Sequence, residues 1–269
     1  MKPNIYIHEL KQHIHSALYW AIGIVGLHLL YLPIYPAFAK QSEEMQQLIK
    51  NFPPELLKAF GMHQIDFTKV LEYYSMVFLI TQILLAIQAS YYGVQLVARE
   101  ESKRTADFLL SMPVSRSQIL TSKFLAVITA LLITQIIVWI SALFSIAAFH
   151  GSHTYSSATL FLILYSAIPF QLFFLSVGFA LSQVAKIDKN ASSYALFIGI
   201  TMYIISALSN IINDTKLEWI TPFKHFDPTY IVRNGHYNRT LFAVNVIICV
   251  ISLLFGYRRY LHRDIPAVS

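Results

Sequence analysis

Residues 124–185 read FLAVITALLITQIIVWISALFSIAAFHGSHTYSSATLFLILYSAIPFQLFFLSVGFALSQVA, and between Lys123 and Lys186 there is no Asp, Glu, Lys or Arg. A helix rises about 1.5 Å per residue, so about 20 apolar residues cross a hydrocarbon core of about 30 Å. The stretch is long enough for two crossings, and His150-Gly151-Ser152-His153 supplies a short turn between them. A charge at the middle of a span costs about 2.5–3.5 kcal/mol on insertion scales. A charge-free run of this length therefore places the chain in a bilayer.

Working outward, four further uncharged stretches flank this pair. The spacing predicts spans over 16–38, 73–97, 122–149, 158–184, 191–212 and 240–257. The expected fold is an all-α membrane protein with six transmembrane helices in a single transmembrane domain, 1–269. Composition agrees: 56% of residues are hydrophobic and 13% charged, against a charged share of about 25% in soluble domains. The loops left over are too short for an independent soluble domain. Residues 1–15 carry Lys2, Glu9, Lys11 and three histidines and lead into a full-length span, which does not read as a removable signal peptide. The single Cys249 lies in the last span, so no intrachain disulfide can form.

Charge sets the orientation. Twelve of the 20 basic residues fall on the side of the N-terminus, Arg99, Lys103, Arg104, Arg116, Lys123, Lys186 and Lys189 among them. The whole net charge of +6 lies on that face, and the other is neutral. The positive-inside rule then places both termini in the cytoplasm of a multi-pass protein of the cytoplasmic membrane. A basic face beside anionic lipid explains the net charge without nucleic acid.

The loops carry local signals. Pro3 can open a helix with Tyr6, Ile7, Leu10 and Ile14 on one face, an amphipathic element suited to the membrane surface. Pro53-Pro54 and Gly61 bracket a short helix in the first outer loop. In the last outer loop Asp227 can cap a helix opened by Pro228 and stopped by Asn234-Gly235. In the loop between spans two and three, Arg99 to Arg104 is densely charged, Phe108, Leu109 and Met112 form an apolar patch at helical spacing, and Pro113 breaks the segment. Ser115 and Gln118 can form a capping box for span three. This reads either as a docking element for a partner protein or as a solvated loop with a helix cap.

The run Glu100-Glu101, Thr105, Phe108-Leu109-Leu110-Ser111-Met112-Pro113-Val114-Ser115-Arg116 and Lys123 resembles the first cytoplasmic loop of the ABC type-2 exporter permeases, the membrane subunits of ATP-binding-cassette transporters. Phe52 to Gly61 is similar to their first outer loop, Thr221 to Pro228 to the loop that folds into short re-entrant helices, and Arg258 to Ile265 to their tail. Arg104 stands where the family usually has Gly. The resemblance implies a second permease copy or paralogue and two ATPase subunits as partners. It places ATPase coupling on Glu100, Glu101, Arg104, Thr105, Phe108, Leu109, Met112 and Arg116.

No G-x-x-x-x-G-K-[ST] loop occurs in the chain. ATP and Mg are therefore expected on the partner ATPase, with no cofactor and no enzymatic activity here. His8-Glu9 and His13 approach a zinc-protease motif, but histidines five apart on a helix diverge by about 140°, and no metal is expected. Gln82, Gln88, Gln135 and Gln171 read as interhelical hydrogen bonders or as a polar lining of the translocation path. His28 reads as a packing residue or a proton relay. No Asp or Glu lies at the middle of a span, which disfavours an ATP-independent secondary transporter or channel, the alternative reading. The function expected is outward movement of an amphipathic or hydrophobic substrate, a peptide, antibiotic or lipid.

Overall fold

The computed structural model describes residues 3–62, 65–103, 115–185 and 190–262. Its long helices are α1 (Pro3–Tyr31), α5 (Val70–Lys103), α6 (Arg116–Phe149), α7 (Ser157–Ser182), α8 (Ala191–Ile212) and α12 (Arg239–His262). These six are long and apolar enough to cross a membrane, the first counted together with its continuation to Lys40. No strand occurs among the described residues. The protein is an all-α membrane protein.

The helices outrun the apolar stretches at the end where α1 starts. The segment Tyr6–Ile14 forms the first turns of α1, so the amphipathic element and the span are one helix. Helix α5 continues to Lys103, and α6 begins at Arg116, where the Ser115 hydroxyl accepts from the Gln118 amide at 3.3 Å. Water-facing turns keep their intrahelical bonds without an apolar sequence, so hydropathy marks the membrane and not the helix end.

At the opposite end, α1 passes through a 3-10 turn (Leu32–Ile34) into α2 (Tyr35–Lys40), α3 (Ser42–Lys50) and α4 (Pro54–Ala59). Gly61 adopts φ 67, the left-handed conformation that ends α4. Between α8 and α12 the chain makes three short helices, α9 (Thr215–Glu218), α10 (Pro222–His225) and α11 (Pro228–Asn234). The Asp227 carboxylate caps α11 by accepting from the amides of Thr229 and Tyr230, and Gly235 closes it at φ 68. Phe223 anchors α10 among Phe170, Phe174 and Tyr203, with ring centroids 5.1, 5.9 and 5.6 Å away.

The spanning helices divide into two packing groups. Helix α1 runs along α6. Helix α5 runs along α7 and α8, and α12 packs on α7. Backbone approach between the two groups is sparse. Three tight glycine contacts lie inside the larger group. A Cβ at Gly93 would sit 2.3 Å from the Leu175 carbonyl oxygen, one at Gly178 2.7 Å from that of Ser90, and one at Gly256 2.4 Å from the Phe179 ring. Gly23 and Gly26 of α1 face open space. Glycine lets helix backbones close up in lipid, where packing rather than water exclusion drives association.

Candidate functional site

The predicted coupling residues fall at the roots of the loop between α5 and α6. Glu100 and Glu101 lie in the last turns of α5, and Arg116 opens α6. Arg104, Thr105, Phe108, Leu109 and Met112 lie outside the described residues. Arg116 donates to the Leu261 carbonyl at 3.4 Å, and the Tyr257 hydroxyl meets Ser117 Oγ at 2.9 Å. Two hydrogen bonds thus cross from the end of α12 to the start of α6.

Seven residues beyond Arg116 the structure places a charge inside the bundle. Lys123 is 4% exposed. Its Nζ lies 3.7 Å from the Glu9 carboxylate of α1 and donates to the Leu96 carbonyl of α5 at 3.1 Å. Glu9 also lies 3.9 Å from His13, whose ring meets Tyr92 edge-on at 4.9 Å. One ammonium thus joins three helices at the end where the loop emerges. A buried charge is tolerated when it is paired and hydrogen-bonded, and the Lys123 ammonium is both.

The four glutamines proposed to line a path are all buried. Gln171 donates to Gln88 at 3.4 Å, Gln88 to Thr134 at 2.8 Å, and Thr134 to the Ala17 carbonyl at 3.2 Å. This chain of bonds crosses α7, α5, α6 and α1. Gln82 donates to the Phe226 carbonyl at 2.9 Å, and Gln135 to the Leu164 carbonyl at 3.4 Å. Trp139 shares the Leu164 acceptor at 3.0 Å, one residue before the carbonyl that Pro169 deprives of its helical donor. His28 bridges Ser141 at 3.1 Å and Thr81 at 3.3 Å. These heads are engaged between helices.

A separate groove opens on the surface. It encloses about 520 Å³ between Tyr19, Trp20 and Gly23 of α1 and Ala195 and Leu196 of α8, with Ile87 and Tyr91 of α5 as its floor. None of the four glutamines lines it. Its wall is apolar, with hydroxyls from Ser16, Ser192 and the two tyrosines. It suits a mainly apolar molecule with a few polar groups.

A six-span bundle with short helices across one end, a buried charge near the other and a lateral apolar groove narrows the class of machine. The family model described as ABC-2 family transporter protein matches residues 3–265. The chain belongs to the ABC-2 transporter family. No curated protein matches it. An ABC-2 permease is the membrane component of its transporter and works with an ABC ATPase subunit. The ABC-2 resemblance read in the loops therefore holds over nearly the whole chain.

Two features of this ABC-2 chain escaped the sequence. The sequence counts Lys123 with one face and Glu9 with the N-terminal segment without pairing them, and the groove could not be read at all. The signal for the first was present: Glu9 and His13 stand one helical turn apart, and Lys123 has apolar residues on both sides. Ahead of α5, hydrogen bonds from Thr68 hold the Asp66 carboxyl below the usual carboxylate range. Burial pushes the His225 imidazole down to about 4, and it stays neutral between the Trp219 carbonyl and Asn245.

Proposed function

We propose that this ABC-2 chain is the permease subunit of an ATP-driven exporter and moves an amphipathic or hydrophobic substrate outward across the cytoplasmic membrane. The groove between α1, α5 and α8 carries this reading, because it offers about 520 Å³ of mainly apolar lining on the side of the bundle. A peptide, antibiotic or lipid with a long apolar part matches it, and the substrate enters there. The groove reaches the first turns of α8, toward the face that carries the whole net charge. That placement suits loading from the cytoplasm or the inner leaflet. Both termini and the loop between α5 and α6 lie in the cytoplasm on this reading. The complex holds two ATPase subunits and a second permease, copy or paralogue, and Phe108, Leu109 and Met112 dock on the ATPase. ATP and Mg bind the ATPase alone.

The test is isolation of the tagged permease from its native membrane. An ABC ATPase should co-purify in equal number with permease chains, and inside-out vesicles should accumulate labelled amphipathic peptides or lipids only with ATP. Ala195→Trp, which fills the groove, should abolish accumulation and leave basal ATP hydrolysis in place. Accumulation without ATP would overturn the ATP-driven reading. Full transport by Ala195→Trp would remove the groove from the path.

A further inference from the structure

The boundary between the two packing groups differs in kind from the contacts inside them. Within the larger group, α5 and α7 approach so closely at Gly93 and Gly178 that not even a Cβ fits between the backbones. Along the boundary, side-chain hydrogen bonds take the place of such packing. From one end to the other they run from Lys123 to the Leu96 carbonyl, from Gln88 to Thr134, from His28 to Thr81, and from Tyr73 to the Tyr31 carbonyl at 2.8 Å. Spare polar atoms lie beside them. The Tyr74 hydroxyl, whose ring meets His28 at 5.9 Å, and Oε1 of Gln135 have no hydrogen-bond partner among the described residues. Hydrogen bonds between helices in lipid are individually weak because alternative partners are at hand. Close-packed backbones resist gradual deformation. The boundary is where one arrangement can exchange for another.

Connectivity puts the drive at the same place. The loop 104–115 leaves α5 in the larger group and enters α6 in the smaller one, so force on it acts across the boundary. The groove also straddles it, with one wall on α1 and the other on α5 and α8. The short helices α9, α10 and α11 pack on the larger group. Resting on the ATP-driven reading above, we propose that α1 and α6 move together as one body against α5, α7, α8 and α12, exchanging partners along this polar boundary and changing the width of the groove.

Spin labels on exposed positions test this in the intact permease–ATPase complex, with one labelled permease copy per complex in a Cys249→Ser background. Tyr19 and Leu196 flank the groove on opposite bodies, whereas Ile22 and Ile136 both belong to the smaller body. Trapping the ATPase with ATP and vanadate should shift the Tyr19–Leu196 distance by at least ~2 Å and leave the Ile22–Ile136 distance unchanged. A shift within the Ile22–Ile136 pair, or an unmoved Tyr19–Leu196 pair in a complex that hydrolyses ATP, would overturn the two-body motion alone. A complex that hydrolyses no ATP would remove the reading beneath it, and phosphate release separates the two results.

Discussion

At the scale of single residues, the least expected group is the Lys123 ammonium. It sits 3.7 Å from Glu9 at a site almost closed to water. Removing one partner of a buried pair leaves the other uncompensated, at a cost of roughly 3–5 kcal/mol, whereas replacing both with apolar or neutral groups of similar volume is often neutral. Lys123→Ala should therefore lower the thermal midpoint in detergent by roughly 6 °C or more, given about 2–4 °C per kcal/mol for a chain of this size. Glu9→Gln combined with Lys123→Met should recover most of that loss. Equal losses for the single and double variants would show that the pair does not act as a unit. The midpoint followed by circular dichroism reads the difference.

At the scale of elements, the α5–α7 crossing sets the sign of a common substitution. Gly to Ala inside a helix ordinarily gains up to about 1 kcal/mol. At Gly93 the new Cβ would stand 2.3 Å from the Leu175 carbonyl, and backbone cannot step aside as a side chain can. Gly93→Ala should destabilise by roughly 1–3 kcal/mol, and Gly23→Ala, which meets nothing within 4 Å, should change stability by less than about 0.5 kcal/mol. Comparing the two in one thermal assay removes the propensity effect. The same scale shows what a reader of the sequence could see. The α11 cap from Asp227, the Gly235 stop and the Ser115 cap on α6 were legible, because each is settled within a few residues. The pairing of α1 with α6 was not. In lipid both the packed and the free faces of a helix are apolar, so no periodic pattern marks the buried side. His28 and its partners Thr81 and Ser141 lie far apart in sequence, and only the folded chain brings them together. The groove was hidden for the same reason, because it belongs to no single helix.

At the scale of the whole molecule, the six helices do not fall into an N-terminal and a C-terminal half. The first pairs with the third, and the second with the fourth and fifth, while the short helices between α8 and α12 pack on the larger set. On the two-body proposal, the boundary between these sets changes while each set keeps its internal contacts, and no ionisable group is needed at the centre. The six spans and the family came from hydropathy, charge and motif. Which helices pack together came from backbone contacts.

This alternating partnership bears on how the chain is made. The most enclosed span, α5, leaves the ribosome before the helices that enclose it. At about 5–20 residues per second, α7 follows on the order of 10 s later, and until then α5 stands in lipid with Gly93 and part of its glutamines uncovered. A fragment ending at Gly151 would retain the α1–α6 pair and leave α5 without its main partner. Expressed alone it should be degraded, and co-expression of residues 152–269 should restore it, as immunoblotting of the two halves would show. Equal abundance of the first fragment alone and with its complement would mean that α5 needs no later partner. Assembly of this protein is then a matter of waiting for the second half of the message.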